Sequence, residues 1–331
     1  MSRVYIIVDA EINHNGDLDI AKKMIETAKE CGADCIKFQY IIANEIAEPS
    51  SEYYDLFSKV ELTKDQFSEL KTYSEDSVGI EFMMTVTSVN TFYMTKEIGI
   101  KKIKVSSSNL TNILLLREIG KFKEEFDIYC STGMATLSDI ELALSALNYN
   151  ENDRNFHLFH CTTNYPADYE SLNLNMITTM KSAFRDIAIG YSDHTTDNLA
   201  AIACVAMGVE LFEKHFTLDN EMTGPDHFFS LDPKGLKQYI LDIRDTIKAL
   251  GKYEKTPAFS ELEMINKARR FLVFKNGVNK DERLTAEMFD TKRLGNAESA
   301  VDVRYIDLAI KLKAPRDYKA GDVIRWSDFS L

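Results

Sequence analysis

The chain is short of positive charge. Of its 331 residues, 39 are Lys or Arg and 52 are Asp or Glu, a formal net charge of −13. Such a field excludes nucleic acid and anionic membrane surfaces as the main partners. An anionic small molecule stays compatible, because a few local cations overrule the global field at short range. No apolar run approaches the length of a membrane span. The first apolar run reaches Asp9 and Glu11 too soon for a signal peptide. Cysteine is sparse and odd in number: Cys31, Cys35, Cys130, Cys161 and Cys204, none in CxxC spacing. Each lies in or beside an apolar segment, so buried free thiols in a reducing cytoplasm are expected. No GxGxxG follows the first apolar run, so the dinucleotide-binding sheet lacks its signature.

What is present is regular alternation. Short β-branched runs at 4–10, 35–39, 79–85, 102–106, 127–132, 156–162, 187–192 and 209–215 predict eight strands. Between them lie amphipathic stretches. One helix is expected from about Asp17 to Cys31, stopped by Gly32. Thr63 opens another through a Thr-Lys-Asp-Gln capping box. Others begin near Asn90, Thr111, Leu137, Leu172 and Thr195, and a last one runs from Pro233 to Leu250. Eight such units over about 250 residues predict an α/β chain whose residues 1–252 form a (β/α)8 TIM barrel, with a doubly wound sheet as the rival. Residues 253–270 read as a linker entering a short helix, and 271–331 as a small β-rich domain. Within that tail, 281–289 echoes 321–329.

In such barrels the chemistry gathers where strands end. Strand 1 brings Asp9, Glu11, Asn13 and His14; the first three alternate and are expected to share one face. Strand 2 brings Lys37 and Gln39, strand 3 Thr85, strand 4 Lys104 and the run Ser106 to Asn109. Strand 5 brings Ser131, strand 6 His160, Thr163 and Tyr165, strand 7 Ser192, Asp193 and His194, strand 8 Glu213, Lys214 and His215. Two lysines with several hydroxyls at one mouth suit a phosphate and a carboxylate. Two imidazoles on neighbouring strands suit a divalent metal completed by water or a substrate oxygen. Lys37 is flanked by Ile36 and Phe38, so its inward placement depends on the register. Cys161 reads as core.

The segments INHNGDLDIAKKMIETAKECGADCIKFQ, STGM, HCTTNYPADYE, GYSDHT and EKHFT…GPDH resemble the sialic acid synthase family, which makes N-acetylneuraminic, legionaminic and pseudaminic acids. The tail resembles the family's antifreeze-like SAF domain, a β-clip fold. The resemblance implies condensation of phosphoenolpyruvate with an open-chain N-acetylmannosamine-type sugar, or with a 2,4-diacetamido sugar. It implies a divalent metal, Mn2+ first and Mg2+ or Co2+ as alternatives, on His194 and His215. It assigns phosphoenolpyruvate to Lys37, Thr85, Lys104, Ser107, Ser131 and Ser192, and sugar contacts to Gln39, Tyr165 and Asp226. Thr163 is carried as a further substrate contact. Arg293 matches an arginine that one subunit of a homodimer lends to its partner's site.

The departures concern the sugar side. Where the family reads Glu-x-Gly-x-Asn-His, this chain reads Asp9-Ala10-Glu11-Ile12-Asn13-His14. Where it reads Gly-Ser-Gly-Glu, this chain has Ser106 to Asn109, so Asn109 replaces a sugar-contacting carboxylate. The ungapped reading makes Asp9 the base for the attacking water and leaves Glu11 to the sugar or to Lys37; the reverse assignment stays open. A Schiff-base aldolase using Lys37 or Lys104, and a carbohydrate-binding protein without catalysis, are the rival functions.

Overall fold

The computed structural model describes residues 4–329, so the outermost residues of the expected ranges lie outside it. The chain divides into two compact units, Met1–Gly251 and Lys252–Leu331.

The first unit is a closed barrel of eight parallel strands in sequence order: β1 Tyr5–Glu11, β2 Cys35–Tyr40, β3 Glu81–Val86, β4 Lys102–Val105, β5 Asp127–Ser131, β6 Phe156–Cys161, β7 Ala188–Asp193 and β8 Leu211–His215. Closure comes from β1 pairing with both β2 and β8. Each strand alternates between two apolar environments. Ile6, Val8, Ile36, Phe38, Phe82, Met84 and Ile103 belong to the large core shared with the surrounding helices. Ile7, Cys35, Met83, Tyr129, Phe159 and Leu211 form a separate inner cluster that plugs the barrel. At Gly190 on β7 an added Cβ would lie 2.8 Å from the Phe159 ring and from the Leu211 carbonyl, so only glycine leaves room for that plug.

The helices start where their side chains cap them. Asp17 accepts from the amides of Asp19 and Ile20 and opens the helix Leu18–Cys31, which Gly32 ends at φ 97°. Thr63 and Gln66 form the expected capping box of the helix Lys64–Thr72. Two expected starts move. The helix placed near Thr195 begins at Leu199, because the Asp193 carboxylate holds Thr195 in a turn through its amide and hydroxyl at 2.9 and 2.8 Å. Near Leu172 there is a single turn, Tyr169–Leu172, capped by Asp168; Asn173 at φ 44° breaks it, and the longer helix is Asn175–Ala183.

The second unit packs Leu272, Phe274, Leu284, Phe289, Val301 and Ile324 around a two-stranded antiparallel sheet, β9 Phe271–Phe274 with β10 Phe289–Lys292. The internal echo is real at the level of local structure. Short 3-10 turns, Ala286–Met288 and Trp326–Asp328, sit at matching places in the two echoing segments. The other strand-like pieces pair only through isolated bridges.

Candidate active site

The upper turn of the barrel's inner face is polar. Asp9, Lys37, Thr85, Lys104, Ser131, Ser192, Glu213 and His215 are all buried there. Together with Glu11, Gln39, Ser107, Thr163, Tyr165 and His194 they line a cavity of about 140 Å³. Lys37 therefore points inward, as the expected register required.

Two lysines are matched by two carboxylates. Lys37 Nζ donates to Asp9 Oδ2 at 2.6 Å and to Thr85 Oγ1 at 3.1 Å, and lies 3.8 Å from Glu213 Oε2. Lys104 Nζ donates to both Glu213 oxygens, at 2.6 and 2.8 Å, and Ser192 Oγ donates to the same carboxylate at 3.0 Å. Burial alone would raise the Glu213 pKa; Lys104 and Lys37 overcome it and hold the group down at about 2. Burial pushes Asp9 up, with Lys37 pulling the other way. Burial pulls Lys104 down, and Lys37 adds to that. On Lys37 burial is outweighed by Asp9 and Glu213, so its pKa rises.

Hydroxyls crowd the strand 4–6 side. Ser131 Oγ and Thr163 Oγ1 are buried with no hydrogen-bond partner. A Cβ on Gly133 would lie 2.0 Å from Thr163 Oγ1, 2.8 Å from Ser107 Oγ and 2.9 Å from Cys161 Sγ. Glycine there lets three side chains converge, and its own amide donates to Ser107 Oγ at 3.1 Å. Cationic nitrogens beside unsatisfied hydroxyls make a site for an anion.

The expected alternation of strand 1 fails at one point. A bulge interrupts the β1–β2 register between Asp9 and Glu11, and Glu11 takes φ 45°. Lys37 goes to Asp9, not to Glu11. Glu11 turns instead to Asp226, and its Oε2 has no partner within hydrogen-bond reach. Burial raises the Glu11 pKa well above the carboxylate range, with Asp226 and Asp9 adding to it. Burial lifts Asp226 to about 6, its hydrogen bond with Glu11 opposing. Such a pair holds a proton between them near neutrality.

His194 and His215 meet at ring centroids 5.3 Å apart, with Tyr165 4.4 Å from the first and 5.7 Å from the second. Burial keeps both imidazoles neutral, His194 at about 4 and His215 well below its ordinary value. His194 Nδ1 donates to the Thr162 carbonyl at 2.7 Å, which leaves its Nε2 lone pair free. His215 Nδ1 is buried without a partner. No group of three or more His, Cys, Asp or Glu side chains is arranged for a metal among the described residues. The pair fits a cation that takes its remaining ligands from water and substrate: neutral, one oriented from behind by a carbonyl, one with an orphaned nitrogen.

Three expected residues stand outside the cavity wall. Asn109 lines a neighbouring groove. Asp226 reaches the site through Glu11. Arg293 is exposed just beyond β10 in the second unit. Glu213, which anchors both lysines and Ser192, carried no assigned role in the sequence reading. Its two-residue spacing from His215 on β8 was the available signal.

A model of the NeuB family matches residues 24–255, and a SAF domain model matches 269–330. The chain belongs to the NeuB family. It is 39% identical to an uncharacterized protein of Methanocaldococcus jannaschii, over 98% of this chain and 94% of that one. It is 37% identical to the N,N'-diacetyllegionaminic acid synthase of Campylobacter jejuni, over 98% of this chain and all of its relative. Among solved structures, an N-acetylneuraminic acid synthetase from Leptospira borgpetersenii, in complex with citrate, aligns with TM-score 0.73 at 34% identity, covering 80% of this chain and 90% of that one. Membership of this enzyme family of nonulosonic acid synthases sets aside a purely structural role for the mouth. No described helix is long and apolar enough to cross a membrane.

Proposed function

We propose that this NeuB-family chain joins phosphoenolpyruvate to an open-chain N-acetylmannosamine-type or 2,4-diacetamido sugar, giving a nine-carbon 2-keto-3-deoxy acid and phosphate. The observation that carries it is the buried Lys37–Lys104 pair set among the unpartnered hydroxyls of Ser131 and Thr163, next to two neutral imidazoles. Lys37, Thr85, Lys104, Ser107, Ser131 and Ser192 bind the phosphate and carboxylate. Carbon 3 of the enol forms the new bond to the aldehyde carbon, whose oxygen takes up a proton. Water adds to carbon 2 and gives its proton to Asp9, which burial makes basic enough for the task and which Lys37 orients. The tetrahedral carbon then expels phosphate: its bond to the phosphate-bearing oxygen breaks as its hydroxyl becomes the 2-keto group and passes its proton to the departing phosphate, while the proton on Asp9 replaces the one taken up by the aldehyde oxygen. Gln39, Tyr165 and the Glu11–Asp226 pair face the sugar. A divalent ion held by His194 and His215, Mn2+ before Mg2+ or Co2+, would supply Lewis-acid polarisation of the aldehyde. The lysines are already balanced by Asp9 and Glu213, and that supports a further positive charge when a multiply charged anion binds. A cytoplasmic homodimer, with Arg293 entering the partner's site, belongs to the same proposal.

The Schiff-base alternative requires a neutral lysine. Asp9 and Glu213 hold Lys37 protonated; burial lowers the Lys104 pKa, but its Nζ is engaged by both oxygens of Glu213 rather than free to attack a carbonyl. Phosphate release from phosphoenolpyruvate, assayed with and without acceptor sugar, tests the proposal. Release should require sugar, stop on addition of a chelator and return with Mn2+. Full turnover after exhaustive chelation would remove the metal from the reading.

A further inference from the structure

Behind the two histidines lies a buried ion pair that the proposed reaction does not use. Along β7 and β8, Ser192, Glu213 and His215 line the cavity. Asp193 and Lys214 alternate with them and turn the other way, beneath the helices Leu199–Ala206 and Pro233–Leu250. The Lys214 ammonium lies 5.3 Å from the ring of Tyr239 on the second of these helices, and neither member of the pair is more than 1% exposed. Asp193 and Lys214 stand directly opposite one another and form the last paired rung of β7 and β8. Beyond that rung the two strand ends part. The His194 carbonyl accepts from the Ala167 amide at 2.9 Å, and the His215 carbonyl from the Leu231 amide at 3.0 Å.

Lys214 spans that gap. Its Nζ lies 3.1 Å from Asp193 Oδ2 and donates to the Thr195 carbonyl. Asp193 Oδ1 accepts from the Thr195 amide and hydroxyl, and from the Tyr191 hydroxyl at 3.4 Å. Both chain neighbours of His194 are therefore gripped by one ammonium, and that ammonium belongs to the residue before His215. Stability alone does not call for an ion pair here. A buried pair gains little or nothing over apolar side chains of similar volume. What it adds is direction, because apolar contact is non-directional. Resting on the synthase reading, we infer that Asp193 and Lys214 are positioning residues that fix the distance and angle between the His194 and His215 imidazoles, so that the two can share one divalent ion. Neither lines the cavity, so both act through the histidines.

The test is equilibrium binding of Mn2+ to the whole chain, read from the loss of the free-ion electron paramagnetic resonance signal, alongside thermal melts. Lys214→Met alone strands a buried carboxylate and should lower Tm. Adding Asp193→Asn removes the stranded charge and keeps an acceptor for Thr195, so Tm should return close to that of the wild type. Mn2+ affinity should not return. It should stay roughly tenfold or more below wild type in both variants, the usual cost of losing a group that orients a metal ligand. Affinity for phosphoenolpyruvate, titrated separately, should be unchanged, because Lys37 and Lys104 keep their own carboxylates. Wild-type Mn2+ affinity in the folded double variant, or an equal loss of phosphoenolpyruvate affinity, overturns the inference while the synthase reading stands. So does a double variant that fails to fold, since the pair would then serve the fold alone. No Mn2+ binding by the wild-type chain removes the ion from the synthase reading, and the inference with it.

Discussion

Lys102 and Lys104 leave the same strand on the same face, two residues apart, and meet opposite circumstances. Lys102 sits at the base of the barrel, with Asp127 at 2.9 Å and Glu81 at 3.4 Å, both substantially exposed. Lys104 sits at the mouth, sealed from solvent and clasped by Glu213. Between them lies the apolar plug of Ile7, Met83, Phe159 and Leu211. At the base, charges are paired in the open, where ion pairs contribute little. At the mouth they are paired under burial, where losing one partner leaves an uncompensated charge. The same residue type is a solvated rim at one end and a held reagent at the other.

The strongest way to break this contrast is to remove the anchor. Glu213→Ala strands Lys104, half-releases Lys37 and frees Ser192. It should cost about 3–5 kcal/mol of stability, the range for orphaning a buried charge, read by urea unfolding. Glu81→Ala at the base should cost at most about 1 kcal/mol. Equal losses at the two ends would mean that the mouth network is solvated in solution.

Next comes the lysine pair itself. Lys104→Met removes a charge-assisted contact worth roughly 1.5–3 kcal/mol, so kcat/KM for phosphoenolpyruvate should fall by about tenfold to a hundredfold. Lys102→Met should leave it within about twofold. A comparable loss in both variants would relocate the substrate away from the mouth.

Both ends also carry a histidine that burial holds neutral: His157, stacked on Tyr129 at 4.3 Å near the base, and His194 at the mouth, each at about 4. The unfolded chain binds protons on these groups from about pH 6.5 downward while the folded one does not. Stability therefore rises with pH between about 4 and 6.5 and is lost as pH falls through that window. Glu213, held at about 2, adds a loss at lower pH still. Thermal melts of His157→Phe should show a shallower acid slope with unchanged activity at neutral pH. An unaltered slope would show that His157 titrates normally.

These contrasts mark what the sequence made legible. Alternation placed Lys37, Thr85, Lys104 and Ser192 on one face, and the apolar residues between them predicted the barrel. Strand-end position did not reveal that Glu213, 109 residues from Lys104, is its partner across the barrel. That contact depends on closure of the sheet, which no local spacing encodes. Alternation brought Glu11 to the cavity with Asp9, but it did not show the bulge with a positive φ that turns Glu11 from Lys37 towards Asp226. Asn109 belonged to the neighbouring groove because a 3-10 turn, Ser107–Asn109, carries it past the mouth.

Glu11 supplies the smallest and most specific effect. A residue with a side chain in the left-handed region costs about 1–2 kcal/mol over glycine, and glycine returns about 0.5–1 kcal/mol of that through its freer unfolded state. Glu11 also buries an oxygen without a partner and a carboxyl crowded by Asp226 and Asp9. Strain of this kind persists where a site needs the group. Glu11→Gly should therefore stabilise the protein by roughly 1 kcal/mol, a rise of about 2–4 °C in Tm for a unit of this size. The same change should lower kcat/KM for the sugar while KM for phosphoenolpyruvate stays put, since Lys37 keeps Asp9. Asp9→Asn should do the converse, cutting turnover with phosphoenolpyruvate binding largely intact. A fall in Tm for Glu11→Gly would mean that the proton shared with Asp226 stabilises the loop more than the backbone strain opposes it. Reversed kinetic phenotypes would transfer the role of base from Asp9 to Glu11.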